Sequence, residues 1–195
     1  MLRPLPRRFF ARATPDVARA LLGCLLVHET PSGLLVGRIV EAEAYRGADD
    51  PASHAFRKTA RSAIMYGRPG IAYVYLSYGV HRCLNVVTET EGVPGAVLLR
   101  ALEPLAGIEI MRRRRPHVAV ARLASGPGRL TLAMGVGLEH NGADLTRPPL
   151  YLAVGDRHGW RVVRGPRIGI TRAADRAWRF GLAGHRSLSR PFPID

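Results

Sequence analysis

The sequence predicts an α+β fold: a mixed, mostly antiparallel sheet with a few flanking helices. Three observations carry that expectation. Strand-like stretches recur at residues 34–45, 71–77, 82–87 and 96–102, helix-start signals occur at residues 14–16, 103–104 and 125–127, and the tight turn Tyr78-Gly79 joins two strands directly. A chain of 195 residues that is 47% apolar can bury one good core. No internal repeat or second core divides it, so residues 1–195 read as a single domain.

Thr14-Pro15-Asp16 supplies a capping hydroxyl, a proline for the first turn and an acid near the positive end of the helix dipole. A largely apolar helix is predicted over 17–27, ended by Pro31-Ser32-Gly33. Residues 34–45 follow as a strand whose alternation places Glu41, Glu43 and Tyr45 on one face and Val40, Ala42 and Ala44 on the other. Residues 46–70 read as a loop rich in Gly, Pro, Asp, Ser and Arg, and a loop of that length within a domain is usually functional. The strand 71–77 carries Tyr73 and Tyr75 on one face, Tyr78-Gly79 forms a hairpin tip, and the return strand runs over 82–87. A turn at 91–95 leads to a strand at 96–102. Glu103-Pro104 then opens a helix to Arg115, and Ser125-Gly126-Pro127 opens another to Val136. Residues 151–154 and 161–163 form a last strand pair ahead of an Arg-rich C-terminal region.

Composition narrows the partner. A formal net charge of +14 and a pI near 11.3 point to a polyanion. The surplus is uneven: residues 1–110 carry 13 basic and 10 acidic side chains, net +3, and residues 111–195 carry 16 and 5, net +11, as a single basic face would require. Arginine makes up 28 of the 29 basic residues, a bias that a GC-rich genome also produces, although such a bias does not explain the shortage of acids. Cys24 and Cys83 stand in apolar surroundings with neither CxxC nor Cys/His spacing, which fits a reducing cytoplasm and offers no metal cluster. The basic N-terminus lacks the apolar run of a signal peptide, and no stretch approaches the roughly 20 apolar residues of a membrane helix. A cytoplasmic protein with no membrane partner is expected. The absence of GxxxxGK[ST], of GxGxxG after a strand and of GxSxG removes the commonest NTPase, dinucleotide and serine-hydrolase readings.

Two clusters hold candidate chemistry. Glu43 and Tyr45, at the mouth of the long loop, could line a pocket, yet on spacing alone a solvated face bearing Glu41 and Glu43 is the commoner case. Tyr73, Tyr75 and Tyr78 are three of six tyrosines within six residues. Strand tyrosines are more often core than ligand platform. A tyrosine at a hairpin tip is harder to explain by packing, and in a basic protein it suits insertion between stacked bases, with neighbouring aromatics stacking on an extruded base. The run Arg112 to Arg115 complements a helix C-terminus and fits phosphate contact and simple solvation equally well. Asn85 and Arg100, in strands, need partners unless they face outward. Lys58 is the only lysine, and neither it nor the N-terminal amine has an evident nucleophile setting. A water activated by a carboxylate is therefore simpler than Schiff-base chemistry.

Taken as an ordered set, several blocks resemble the alkyladenine (3-methyladenine, or N-methylpurine) DNA glycosylases. They are Val40-Glu41-Ala42-Glu43-Ala44-Tyr45, Ser53-His54, Met65-Tyr66-Gly67-Arg68-Pro69-Gly70, Ala72-Tyr73-Val74-Tyr75-Leu76-Ser77-Tyr78-Gly79, Cys83-Leu84-Asn85-Val86, Val97-Leu98-Leu99-Arg100-Ala101-Leu102-Glu103-Pro104 and Ala124-Ser125-Gly126-Pro127. Each is weak alone, but they occur in family order and spacing from about Pro15 to Ile170. The resemblance implies a bacterial member with a curved, mostly antiparallel sheet and a protruding β-hairpin that enters the minor groove of duplex DNA. It implies Glu43 as general base for the attacking water, with Arg100 helping to hold both. Tyr45, His54, Tyr75, Asn85 and Leu98 would form the base pocket, with Asn85 crowding the 2-amino group of an undamaged guanine. Tyr78 would fill the gap left in the duplex, and Arg112 and Arg115 would meet backbone phosphates. It further implies excision of 3-methyladenine, 7-methylguanine, hypoxanthine or ethenoadenine without strand cleavage, by a monomer working at the bacterial nucleoid with neither cofactor nor metal. The chain departs from the mammalian members just past the wedge tyrosine, where it carries Val80 and His81 instead of aromatic and thioether residues.

Two other readings compete. A non-catalytic nucleic-acid-binding module explains the charge but gives no reason for the Glu43, Tyr45, His54 and Tyr75 set. A hydrolase of free nucleosides would use a similar carboxylate but has little use for Tyr78 or for Arg112 to Arg115.

Overall fold

The alternating segment ahead of the long loop becomes the longest strand, β2 (Gly33–Tyr45), and the rest of the sheet is laid along its two edges. The computed structural model describes residues 2–156 and 159–192. On one edge run β5 (Ala96–Ala106), β4 (His81–Val87) and β3 (Ala72–Ser77) in that order. On the other edge the first half of β2 pairs with β1 (Leu25–Thr30), whose far side carries β6 (Leu150–Ala153). From Glu41 onward that edge changes partner to β8 (Arg179–Leu182), which in turn pairs with β7 (Val162–Gly165). Irregularities in the β2–β5 ladder at Val36/Gly37 and between Ile39 and Ala42 bend the strand where the partner changes, and the sheet curls into a half-barrel. Every pairing among the described strands is antiparallel, so the parallel admixture allowed by the sequence is not found.

Helices close the core. Ahead of the sheet lie α1 (Arg7–Phe10) and α2 (Thr14–Leu21), and α2 buries Val17, Ala18 and Leu21 against β2. Following β5, α3 (Ile108–Arg114) packs on α4 (Pro127–Met134), which lays Leu130, Ala133 and Met134 over β4 and β5. No helix among the described residues is long and apolar enough to cross a membrane.

Three element boundaries depart from the sequence expectation, each for a local reason. The helix predicted to Val27 stops at Leu21, because Gly23 takes a left-handed φ of 83° and the chain re-enters as β1. An unbroken apolar run does not by itself distinguish buried helix from buried strand. The helix predicted from Glu103-Pro104 begins only at Ile108. Pro104 remains in β5 beside a register shift, and the turn is made at Gly107, where a Cβ would meet the Leu34 carbonyl at 2.6 Å. Residues 150–153 and 162–165 do not pair with each other: the first extends β1, and the second pairs with β8, a strand drawn from the Arg-rich C-terminal region.

Candidate active site

Strand register assembles the site before any side chain is considered. Tyr73 lies opposite Asn85, Asn85 opposite Leu98, Leu98 opposite Glu43, and Glu43 opposite Arg179. Residues directly opposite in antiparallel ladders project to the same face, so five strands deliver one transverse row. Tyr75 and Tyr45 stand two residues further along β3 and β2 and share that face. Above it opens a cleft of about 1020 Å³. Tyr45, His54, Tyr75, Tyr78, Asn85, Leu98, Arg100 and Arg115 all line it. Arg112 does not; its guanidinium pairs at 2.8 Å with Glu109 on the outer face of α3.

Glu41 and Glu43 are both fully buried, which corrects the reading of a solvated face. The reason is long-range: β8 and the segments around residues 167 and 189 cover this part of β2. Glu43 lies just beneath the cleft. Its Oε2 accepts from the Tyr45 hydroxyl at 2.9 Å and from Arg100 Nη1 at 3.2 Å, and its Oε1 accepts from the Ile168 backbone N–H at 2.7 Å. Burial pushes the Glu43 carboxyl above the usual glutamate range, against the pull of Arg100, Ile168 and Tyr45. Burial, with the Glu43 charge second, also holds the Tyr45 phenol well above its ordinary value, so it donates as a neutral hydroxyl.

The aromatic wall is built from the long loop and β3. Ser53 caps a short 3₁₀ turn, His54–Phe56, by accepting from the Ala55 N–H, and this presents His54 to the strand tyrosines. His54 Nδ1 lies 2.8 Å from the Tyr73 hydroxyl, and its ring meets Tyr75 edge to face with centroids 4.6 Å apart. Burial first, and the Arg61 charge second, lower the His54 pKa, so the ring is neutral at pH 7. Arg61 itself lies over Tyr75, 4.7 Å from the ring centroid. Asn85 is buried and donates to the Tyr73 carbonyl at 3.0 Å, which fixes its amide at the floor. At the rim, Tyr78 is 91% exposed with φ 49°, followed by Gly79 at φ 71°, while Val80 N–H donates to the Ser77 carbonyl at 3.1 Å. Two successive positive φ values are those of a type I′ hairpin turn.

Several contributors escaped the sequence reading. Arg167 and Asp50 form a fully buried bidentate pair at 2.6 and 2.8 Å, and the Arg167 guanidinium stacks on Tyr45 at 4.6 Å. That pair anchors the loop whose Ile168 N–H caps Glu43. Arg179, Ser189, Arg61 and Cys83 were also missed. The only local hint for the C-terminal group was an excess of arginine in a region short of acids.

Comparison with known proteins accords with this geometry. Residues 8–186 match the family model described as methylpurine-DNA glycosylase (MPG). A protein of Rhodopseudomonas palustris (strain HaA2) is 50% identical over 192 residues, covering 97% of this chain and 92% of that one. A protein of Rubrobacter xylanophilus is 52% identical over 168 residues, covering 85% and 87%, and one of Salinibacter ruber is 46% identical over 205 residues, covering 98% and 99%. All three carry the name "Putative 3-methyladenine DNA glycosylase". With a family match over most of its length, and with relatives alike nearly end to end, this chain belongs to the methylpurine-DNA glycosylase family.

Proposed function

We propose that the chain is a monofunctional DNA glycosylase that flips alkylated or deaminated purines out of duplex DNA from the minor groove and hydrolyses their N-glycosidic bond. The lesion class is 3-methyladenine, 7-methylguanine, hypoxanthine and ethenoadenine. The observation that carries this reading is the Glu43 carboxylate beneath an aromatic cleft. An ionised carboxyl accepts at about four sites, and three are taken by Tyr45, Arg100 and Ile168. On this reading the fourth is assigned to the attacking water. In the reaction that water adds to the sugar C1′ and gives its proton to Glu43, while the base departs with the bonding pair. The Glu43 charge also stabilises the oxocarbenium-like sugar as the bond breaks. Tyr45, His54 and Tyr75 stack on the flipped purine, Asn85 and Leu98 shape the floor against undamaged guanine, and Tyr78 fills the vacated step in the duplex. Arg100 holds Glu43, and Arg115 at the rim meets phosphate. Lys58, the only lysine, lies over Tyr66 at 4.8 Å and is not among the cleft-lining residues, which favours water over a Schiff base.

The test is incubation of the protein with duplexes holding a single ethenoadenine, hypoxanthine or 7-methylguanine, with release of 3-methyladenine from alkylated DNA in parallel. Alkali-dependent strand cleavage by wild type and none by Glu43→Gln is the expected result. Binding without base release on every substrate would overturn the reading in favour of a non-catalytic nucleic-acid-binding module.

A further inference from the structure

Glu41 has no part in the reaction proposed above, yet it is fully buried beside Glu43. Its Oε1 accepts from Arg100 Nε at 3.0 Å, from Arg179 Nε at 2.8 Å and from the Ser189 hydroxyl at 2.8 Å, and its Oε2 accepts from the Ser189 N–H at 2.6 Å. Arg179 is fixed in turn by the Arg190 and Pro191 carbonyls and by the Phe192 ring, 3.9 Å from its guanidinium carbon. Glu41, Glu43, Arg100 and Arg179 thus form a buried quartet with two charges of each sign. The segment that locks Glu41, residues 189–192, lies beyond residue 186, where the family match ends.

The quartet divides Arg100 between two carboxylates. The Nε edge goes to Glu41, and Nη1 alone reaches Glu43 at 3.2 Å, longer than the roughly 2.7–2.9 Å of a strong charge-assisted bond. A guanidinium favours bidentate pairing with a single carboxylate. Two parallel N–H donors on Glu43 would hold it as an anion and leave it a feeble base. We propose that Glu41, locked by Arg179 and Ser189, is a positioning residue that draws Arg100 away from full pairing with Glu43 and so keeps Glu43 basic enough to activate water. The inference rests on the reading of Glu43 as general base. The groups facing Glu43 are Arg100 from β5, Tyr45 and Glu41 from β2, Arg179 opposite on β8, Cys83 from β4 and the Ile168 N–H. Losing the Glu41 charge removes a repulsion and also frees Arg100. Both changes favour the Glu43 anion, so they act in the same direction.

The experiment is a ¹³C NMR titration of the Glu43 carboxyl in protein carrying labelled glutamate, assigned with Glu43→Gln, with single-turnover excision measured on the same samples. In Glu41→Gln the Glu43 titration is expected to move down by at least about one pH unit, within the roughly 1–3 units an adjacent arginine imposes. The acid limb of the rate profile should follow, duplex affinity should hold, and excision at neutral pH should slow by about tenfold, a fraction of the roughly 10²–10⁴ that a general base supplies. Because the uncharged amide in Glu41→Gln leaves Arg179 and Ser189 with a poorer acceptor, Glu41→Gln/Arg179→Gln is run alongside. It deletes one charge of each sign, so only the release of Arg100 acts on Glu43, and a smaller downward shift is expected. An unmoved or raised Glu43 titration in either folded variant overturns the inference. Failure of both to fold overturns it too, by making Glu41 a structural ion alone. The NMR arm reads the carboxyl whether or not a base is released, so an inactive wild type would sink the glycosylase reading separately.

Discussion

At Glu43 the fold holds a carboxylate where burial opposes its charge, and this has opposite consequences for activity and stability. The carboxyl titrates above the range of an unfolded chain. Its stabilising contribution is therefore complete below the unfolded pKa and is lost as pH rises through the folded one. At neutral pH the ionised group is carried at a cost, so Glu43→Gln is expected to match or exceed wild type in urea midpoint while losing base excision. Excision by wild type should fall on acidification at a pH above the ordinary glutamate range, and an acid limb within that range would contradict the assignment of Glu43 as base. Arg61 gives a second residue-scale prediction. Its guanidinium lies over Tyr75 in the cleft, so a cationic purine stacked there meets a like charge. Unit charges about 4 Å apart in water repel by about 1 kcal/mol, which corresponds to about fivefold in rate. Arg61→Gln should accordingly raise the rate on 7-methylguanine relative to neutral hypoxanthine by a factor of that order, and an unchanged ratio would remove Arg61 from lesion choice.

At the scale of an element, the β3–β4 hairpin carries backbone strain at its exposed tip. Tyr78 is held in the left-handed region, which costs a side-chain-bearing residue about 1–2 kcal/mol, and its ring gains no packing because it is 91% exposed. Tyr78→Gly should therefore stabilise the protein to urea while lowering excision from duplex DNA. Tyr78→Ser, which keeps the strain and loses the ring, should lower excision to a similar degree without the gain in stability. If both variants excise as wild type does, the ring has no role in flipping. This hairpin was legible in the sequence because its signals are local: alternation over 71–77 and 82–87 and a glycine at the tip. That Asn85, Leu98 and Glu43 share one site was legible only through family likeness, since register across three strands leaves no mark in any one of them. Tyr73, at the end of the same row, was read only as a strand-face aromatic. Illegible from residue spacing was the burial of Glu41 and Glu43. Their partners Arg100, Arg179, Ser189 and the Ile168 N–H lie 57 to 148 residues away in the chain, and a charged pair that neutralises itself inside reads as two solvated charges in sequence. The Gly23 and Gly107 turns were missed for a related reason: the flanking apolar residues suit helix and strand alike.

Across the whole molecule, the buried ions leave the charge surplus untouched. Arg100, Arg167 and Arg179 are matched inside by Glu41, Glu43 and Asp50, so the formal +14 belongs to the remainder of the chain. Besides Arg100, whose charge is matched inside, four arginines, Arg61, Arg115, Arg129 and Arg190, line the cleft where a DNA backbone would pass. Arg115 and Arg129 are close enough that the charge of Arg129, after burial, lowers the Arg115 pKa, a repulsion that a phosphate between them would relieve. Each phosphate neutralised releases condensed counterions and contributes about −0.9 to the slope of log K against log salt on duplex DNA, so four contacts give a slope of about −3.6. Arg129→Gln should flatten that slope by about 1, weakening all duplexes alike whether or not they hold a lesion. Arg112→Gln should leave it unchanged, because that guanidinium is paired with Glu109 and does not line the cleft. Binding titrations between low and moderate salt with an undamaged duplex read the three slopes directly. A slope flattened by Arg112→Gln and not by Arg129→Gln would move the DNA track off the cleft and onto the outer face of α3.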